Sequence, residues 1–252
     1  AAAGGLVARS SSAPQAAATR AALAVREEQE ETWKRDNLIR FDEQAVPETS
    51  VHDLEEQLWQ RFLPADTDTP VTVLRKLKLL TNDDSAQERA SVAGVLLCSS
   101  HPETWLPGAY IEAVRYRGIR QDSNYQVDAA SITGPLDRQI REAVQFVLRN
   151  MAVAAVKEPG RREIPQFSDR AVFEAVVNAV AHRDYSVHGS KIRLFLFDDR
   201  LELYSPGSLP NSVTVESLSL RQATRNELVT SLLARTPVQG IRGTGGHQYF
   251  ME

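Results

Sequence analysis

Ser168-Asp169-Arg170-Ala171-Val172-Phe173-Glu174-Ala175-Val176-Val177-Asn178-Ala179-Val180-Ala181-His182 is the stretch on which the fold turns. Ser168 is a good N-cap residue and Asp169 puts an acid in the first turn, so a helix is predicted through Ala181 or His182. Ala171, Val172, Ala175, Val176 and Ala179 give it an apolar face. Glu174, Asn178 and His182 recur every four residues and therefore share one narrow stripe. Downstream, Lys191–Phe197 and Leu201–Tyr204 flank the acidic turn Asp198-Asp199-Arg200 and read as a hairpin, closed by Ser205-Pro206-Gly207. Upstream, residues 109–117 alternate as a strand. Gly134-Pro135 then opens a long helix with Ile140, Val144, Val147 and Leu148 on its buried stripe. A charged loop, Lys157-Glu158-Pro159-Gly160-Arg161-Arg162, separates the two helices. The fold class is α+β, with helices packed on a mainly antiparallel sheet.

A small helical region precedes this unit. Asp53–Phe62 carries Leu54, Leu58 and Phe62 on one stripe; further helices are predicted from Val71 to Leu80 and from Ala86 to Leu97, joined by Asn82-Asp83-Asp84-Ser85. The pattern fits a helical connector or a winged-helix unit and does not choose between them. Residues 1–25 are rich in Ala and Ser, and residues 16–36 favour a helix with the solvated acidic face Glu27-Glu28-Gln29-Glu30-Glu31. The chain begins without Met and ends at Met251-Glu252, which suggests a fragment of a longer protein.

The 252 residues are 42% hydrophobic and 25% charged, the balance of an ordinary globular protein, with a formal net charge of -4. That charge supplies no general attraction to nucleic acid or anionic lipid. The lone Cys98 sits in an apolar run, where a buried, inert thiol is expected, and it makes neither an intramolecular disulfide nor a thiolate metal site. A reducing, cytoplasmic setting is the expectation. No stretch approaches the ~18 consecutive apolar residues of a membrane span, so no membrane partner is expected.

The stripe Glu174, Asn178, His182 has two readings. It is either the solvated side of an amphipathic helix or a ligand face. An amide oxygen suits a hard cation such as Mg²⁺ together with phosphate oxygens, and a carboxylate one turn away can orient a water toward a γ-phosphate. Residues 173–185, Phe-Glu-Ala-Val-Val-Asn-Ala-Val-Ala-His-Arg-Asp-Tyr, resemble the N-box of one branch of the GHKL nucleotide-binding proteins. This is the RecG-like C-terminal (HATPase) branch, found behind Schlafen/AlbA-type domains in bacterial regulators. Gly189-Ser190-Lys191-Ile192, Phe197–Glu202, Ser205–Pro210 and Arg225-Asn226 continue the resemblance, and Ala93–Leu97 and Ile132–Leu136 extend it upstream.

The resemblance implies a Bergerat-like two-layer sandwich that binds ATP with Mg²⁺. It divides the chain into 1–48, a tail or remnant of an upstream AlbA/Schlafen-type domain; 49–104, the small connector; and 105–252, the GHKL-like domain, cut short at its C-terminus. It makes Asn178 the Mg²⁺ ligand and Glu174 the general base. His182 and Arg183 would lie near the phosphates, with Ser205 and Gly207 beside the nucleotide. Gly243 and Gly245, within Gly240–Gly246, would lie in the lid, because amides of a glycine-rich loop can cradle phosphate. The partners implied are a nucleotide, DNA through an adjoining N-terminal domain, and a second copy of the chain.

Two departures reduce the expected activity. Ser205 stands where these ATPases carry the aspartate that accepts from the adenine amino group, and a hydroxyl is a weaker acceptor. The glycine cluster is an atypical lid. Any ATPase activity is therefore expected to be weak, and a non-catalytic dimerisation or small-ligand sensor domain on the same fold is the alternative. A helicase is excluded by the missing Gly-x₄-Gly-Lys-Ser/Thr loop. His182, Asp184 and His188 admit a zinc reading, which lacks further ligands. Arg115, Arg117, Arg120, Arg138 and Arg141 admit a direct DNA contact, although basic residues flanking strands usually face solvent.

Overall fold

A helix that is apolar on every side has to be enclosed on every side, and Val92–Cys98 is such a helix: each of its residues is buried. The computed structural model describes residues 40–64, 69–158, 160–207, 225–236 and 238, with the backbone alone for 154–163. All of its helices and strands belong to the unit that begins at Phe41. The helices are α1 (Glu56–Trp59), α2 (Pro70–Lys76), α3 (Val92–Cys98), α4 (Pro102–Trp105), α5 (Leu136–Asn150), α6 (Asp169–Ala181) and α7 (Glu227–Leu233). The strands are β1 (Leu80–Asn82), β2 (Glu88–Ala90), β3 (Ile111–Tyr116), β4 (Gln126–Ile132), β5 (Val153–Glu158), β6 (Gly160–Pro165), β7 (Ile192–Leu196) and β8 (Leu201–Tyr204).

The main sheet has the order β4-β3-β7-β8. The β4–β3 and β7–β8 pairs are antiparallel, and β3–β7 is parallel, with Ile111 opposite Ile192 and Ala113 opposite Leu194. Because side chains alternate across a strand, Ile111, Ala113, Ile192, Leu194 and Leu196 fall on one face. There they share a core with Ile140, Val144 and Val147 of α5 and Val172, Val176 and Val180 of α6. Val114, Tyr116, Phe195 and Phe197 fall on the opposite face as a separate cluster, with Tyr116 stacked on Phe197. The architecture is thus α+β on a mainly antiparallel sheet, as the alternation and helix periods imply.

Residues 49–104 contribute to the same core: Leu74, Leu79, Leu96 and Leu97 are solvent-free beside the helices of the sheet layer. Here the local structure differs from the sequence expectation. Residues 86–90 do not join the helix after them. Glu88–Ala90 pair with β1 as β2, because the Asp83 carboxylate accepts from Ser85 N and Gln87 N, both at 2.9 Å, and fixes a turn in which Ala86 takes φ 59°. Leu80 accordingly begins a strand instead of ending a helix. Gly94 is set by contact: a Cβ there would lie 2.3 Å from the Leu79 carbonyl oxygen.

The expected helix from Asp53 to Phe62 is interrupted. Ser50 and Asp53 form a reciprocal capping box around one turn, and Leu54 is extended. Glu55 N then donates to Cys98 O at 2.7 Å before α1 starts. The charged stretch around 157–162 is a hairpin instead of a loop, β5 pairing with β6 from Val153–Pro165 to Glu158–Gly160. The helix predicted over 16–36 lies outside the described residues. No helix among the described residues is long and apolar enough to cross a membrane.

The short α7 has no side-chain cap of its own at Asn226. Its first amides are satisfied from far away in the chain: Leu228 N and Val229 N donate to Asp42 Oδ2 at 2.8 and 3.1 Å, and Asp42 is fully buried. A buried carboxylate accepting two amides at a helix start combines capping with a favourable dipole interaction. Asp42→Ala is expected to cost about 2 kcal/mol, and Asp42→Asn, which keeps an acceptor oxygen, clearly less. Urea unfolding of the two variants against the wild type checks both values.

Candidate nucleotide-binding site

Helix α6 forms where its caps and stripe require. Ser168 Oγ accepts from Ala171 N at 3.2 Å, and Val172, Val176, Val177, Ala179, Val180 and Ala181 are buried. Glu174, Asn178 and His182 are all exposed, on the side turned away from the core. The stripe seen in the sequence therefore exists as one solvent-facing row of a carboxylate, an amide and an imidazole.

The end of this helix is unusually well provided for. The carbonyls of a helix's last turn have no partner within the helix. The Asn178 carbonyl still accepts from His182 N at 3.0 Å. Beyond it the Ser205 hydroxyl donates to Ala179 O at 2.7 Å, the Tyr185 hydroxyl to Val180 O at 3.1 Å, and the Asn226 amide to Ala181 O at 2.8 Å. Asn226 donates to Arg183 O as well, at 2.8 Å. Side chains from three separate parts of the chain thus close one helix end, and they bring the stretches 205–207 and 225–226 to the exposed row.

Asp184 completes the junction. Its amide donates to Pro206 O at 2.8 Å, and its carboxylate pairs with Arg225 Nη1 at 2.7 Å. Gly207, at φ 125°, passes so close that a Cβ there would lie 2.9 Å from Asp184 Cβ. A side chain at 207 would meet both a backbone conformation reserved largely for glycine and a steric conflict.

Arg183 is placed differently from the sequence expectation. It is 1% exposed, with Nη2 donating to Ser190 O at 2.7 Å and its guanidinium 4.6 Å above the Tyr185 ring. Gly108 backs onto it: at φ 87°, a Cβ would lie 3.2 Å from Arg183 Nη2 and 2.5 Å from Ser190 O. Burial lowers the pKa of this guanidinium, and the side chain holds loop 187–190 from within instead of facing the row. The His182 pKa is lowered from its ordinary 6.5, first by desolvation, although the residue as a whole is exposed, and then by the charge of Arg225.

Gly243 and Gly245 lie outside the described residues. Among the described residues no group of three or more His, Cys, Asp or Glu side chains is placed to hold a metal ion, so His182, Asp184 and His188 do not form the zinc cluster that their spacing allowed. Cys98 is buried with its thiol pushed up to about 12 by desolvation, an inert group. A recess lined by Glu112, Val114, Ser131, Arg193 and Phe195 lies on the other face of the sheet and contains none of the row.

Of the junction, sequence reasoning identified Ser205 and Gly207, and it noted Arg225-Asn226 as part of a resemblance. It gave Tyr185 and Asn226 no role of their own, and Asp184 only a place in the zinc reading. Asp184 and Tyr185 directly follow the helix and could have been found as its exit, whereas nothing near Asn226 announces a partner 45 residues upstream.

Residues 189–250, about a quarter of the chain, match the family described as "Putative ATP-dependent DNA helicase recG C-terminal", an HATPase-type family. The RecG-like, ATPase-type resemblance therefore holds over β7, β8 and the residues after them; α6 lies ahead of the matched range. No curated protein matches the chain. A crystal structure of the DIP2311 protein from Corynebacterium diphtheriae is similar in fold, with a TM-score of 0.56 at 23% identity. The similarity covers 81% of this chain and 40% of that one, so the chain spans well under half of that protein's length.

Two measurements probe the junction. Ser205→Ala removes one donor to a helix-end carbonyl and is expected to cost about 1 kcal/mol; Ser205→Asp, which sets a carboxylate against the Ala179 carbonyl, is expected to cost more, both read by denaturant unfolding. In an NMR titration His182 is expected to titrate below 6.5, and Arg225→Gln to move it upward. Since the unfolded imidazole binds its proton at about 6.5 and the folded one only lower, this group adds a loss of stability as pH falls through 6.5 toward the folded value.

Proposed function

We propose that the exposed row of α6 and the adjoining Ser205–Gly207 strand exit bind ATP with Mg²⁺, and that this binding controls an attached DNA-binding regulator. The observation that supports it best is the convergence of Glu174, Asn178 and His182 in one exposed row with a glycine-containing strand exit fastened to the end of the same helix. The ATPase-type family match over residues 189–250 supports the same reading.

The donor set suits the ligand. Asn178 presents an exposed amide oxygen and Glu174 an exposed carboxylate one turn away, the hard oxygen donors that Mg²⁺ accepts alongside waters and phosphate oxygens. Asn178 would hold the cation, which when bound neutralises phosphate charge. Glu174 orients a water, and His182 faces the phosphate chain. Ser205 donates its only proton to Ala179 O, so toward a ligand its oxygen acts as an acceptor and suits an amino-bearing base such as adenine. Gly207 leaves room for the backbone to approach the nucleotide.

Hydrolysis on this arrangement is weak at most, and nothing in it unwinds nucleic acid. DNA contact belongs to an adjoining N-terminal domain of AlbA/Schlafen type, in a cytoplasmic bacterial protein that pairs with a second copy. The specific feature favouring the competing reading, a sensor of another small ligand, is Ser205 itself, a structural cap where an ATPase has its adenine-binding acid.

Thermal unfolding with and without millimolar Mg-ATP tests the proposal. A ligand at about a hundred times its dissociation constant adds ~2.7 kcal/mol of stability, which raises the melting temperature of a chain this long by several degrees. Asn178→Ala should abolish the shift while leaving the unliganded melting temperature unchanged or slightly higher, since Asn178 is exposed and alanine is the better helix former. The absence of any shift in the wild type would favour the sensor reading.

A further inference from the structure

We infer that the recess on the second face of the sheet binds a free α-amino acid with an uncharged polar side chain. The inference stands apart from the nucleotide reading, since no residue of the α6 row lines this recess. The strand register builds it. Ser131, Glu112, Arg193 and Tyr204 are successive partners across β4, β3, β7 and β8, and so form one row on this face. Ala129, Val114 and Phe195 form the next row. Strand β4 contributes only the small side chains of Ala129 and Ser131 to these two rows, which leaves a hollow of about 370 Å³ beside them. Small-molecule sites span roughly 300–1,000 Å³.

Opposite charges stand next to each other in the first row without pairing. The Glu112 carboxylate pairs with Lys191 Nζ at 3.0 Å instead, and the Arg193 guanidinium lies over the Tyr204 ring, 5.2 Å from its centroid. Among the described residues the exposed Arg193 side chain makes no hydrogen bond or ion pair. A guanidinium held against a ring face keeps its N–H donors for a ligand, and its fork matches a carboxylate. Glu112, engaged by one lysine, retains lone pairs for an ammonium group. The two charges of an α-amino acid, borne on one carbon, suit this adjacent pair. A phosphate suits it less, because Glu112 repels a second negative charge.

The other end of the recess reads the side chain. Gln126 stands opposite Tyr116, four residues along β3 from Glu112, a distance of roughly 13 Å. The side chains of Gln121 and Gln126 line that end and make no hydrogen bond among the described residues. An amide both donates and accepts, so the pair favours a neutral polar group. With side chains reaching in from both ends, the space between accommodates a chain of about the length of glutamine.

Calorimetric titration of the full chain with L-glutamine, L-asparagine and L-serine tests the inference, beside L-glutaminamide and N-acetyl-L-glutamine. At least one of the three amino acids should bind saturably. The amide, which lacks the carboxylate, and the N-acetyl derivative, which lacks the ammonium, should each bind about tenfold more weakly or worse, the loss of one charge-assisted contact. Arg193→Gln and Glu112→Gln should each lose a similar factor, and Arg193→Lys less than Arg193→Gln, since it keeps the charge without the fork. An NMR titration of the wild type locates the site independently of any variant, with shifts expected at Gln121, Ser131 and Arg193. No binding of the three amino acids at millimolar concentration overturns the inference, as does unchanged affinity in Arg193→Gln. Derivatives that bind as tightly as the parent amino acid overturn it too, and so do NMR shifts confined to other parts of the chain.

Discussion

Everything at the candidate site depends on how the last turn of α6 disposes of its carbonyl groups. A helix ending in solvent leaves these acceptors to water; one ending against other elements has to find donors for them or lose free energy on each. Here three consecutive carbonyls, of Ala179, Val180 and Ala181, take donors from Ser205, Tyr185 and Asn226. Each bond is modest alone. Together they decide that the exit of β8 and the start of α7 lie beside the helix end, and so beside its exposed row.

That constraint also explains the residue types. A donor is required opposite Ala179 O, which a serine provides and an ionised aspartate does not. Close approach is required where the chain leaves Ser205-Pro206, and Gly207 meets it, its φ of 125° and its contact with Asp184 leaving no space for a side chain. The buried charge of Arg183 follows from the same geometry. A guanidinium taken out of water is costly unless its donors are used, and the turn of chain after α6 offers the carbonyls of Val187 and Ser190 and the face of Tyr185. The enclosure is incomplete, because Arg183 Nε is buried without a partner. A helix end, a strand exit and a buried arginine are thus one connected unit, beside the exposed row of α6.

How much of this was legible in the sequence depends on the range of the interactions involved. Helix α6 was readable to the residue because its N-cap bond spans three positions, Ser168 to Ala171, and its stripe is local. The β7–β8 hairpin was readable for the same reason, its strands flanking Asp198-Asp199-Arg200. The β1–β2 hairpin was not: its turn depends on one carboxylate, Asp83, folding back on two amides and on an alanine in the left-handed region, which no residue preference announces. The β5–β6 hairpin was hidden by its charged sequence, which reads as loop, while its ladder is a property of the backbone. Arg183 was assigned by motif to the ligand. Its burial depends on Gly108, far upstream, and on a loop conformation that no local pattern encodes. The row itself was legible as spacing; what brings other residues to it was not.

The two faces of the sheet are unequal: one is covered by α5 and α6 within the main core, and the other carries the small cluster of Val114, Tyr116, Phe195 and Phe197. Since α6 turns its valines onto the covered face, its polar row points away from the sheet, and among the described residues the strand exit and residues 225–226 lie at the end of the helix that carries it. The surroundings of that row come from three chain segments, placed by the helix-end bonds together with the β7–β8 ladder and the core packing of α7. Side-chain donors at 185, 205 and 226 add single hydrogen bonds to that framework, each on the order of 1 kcal/mol.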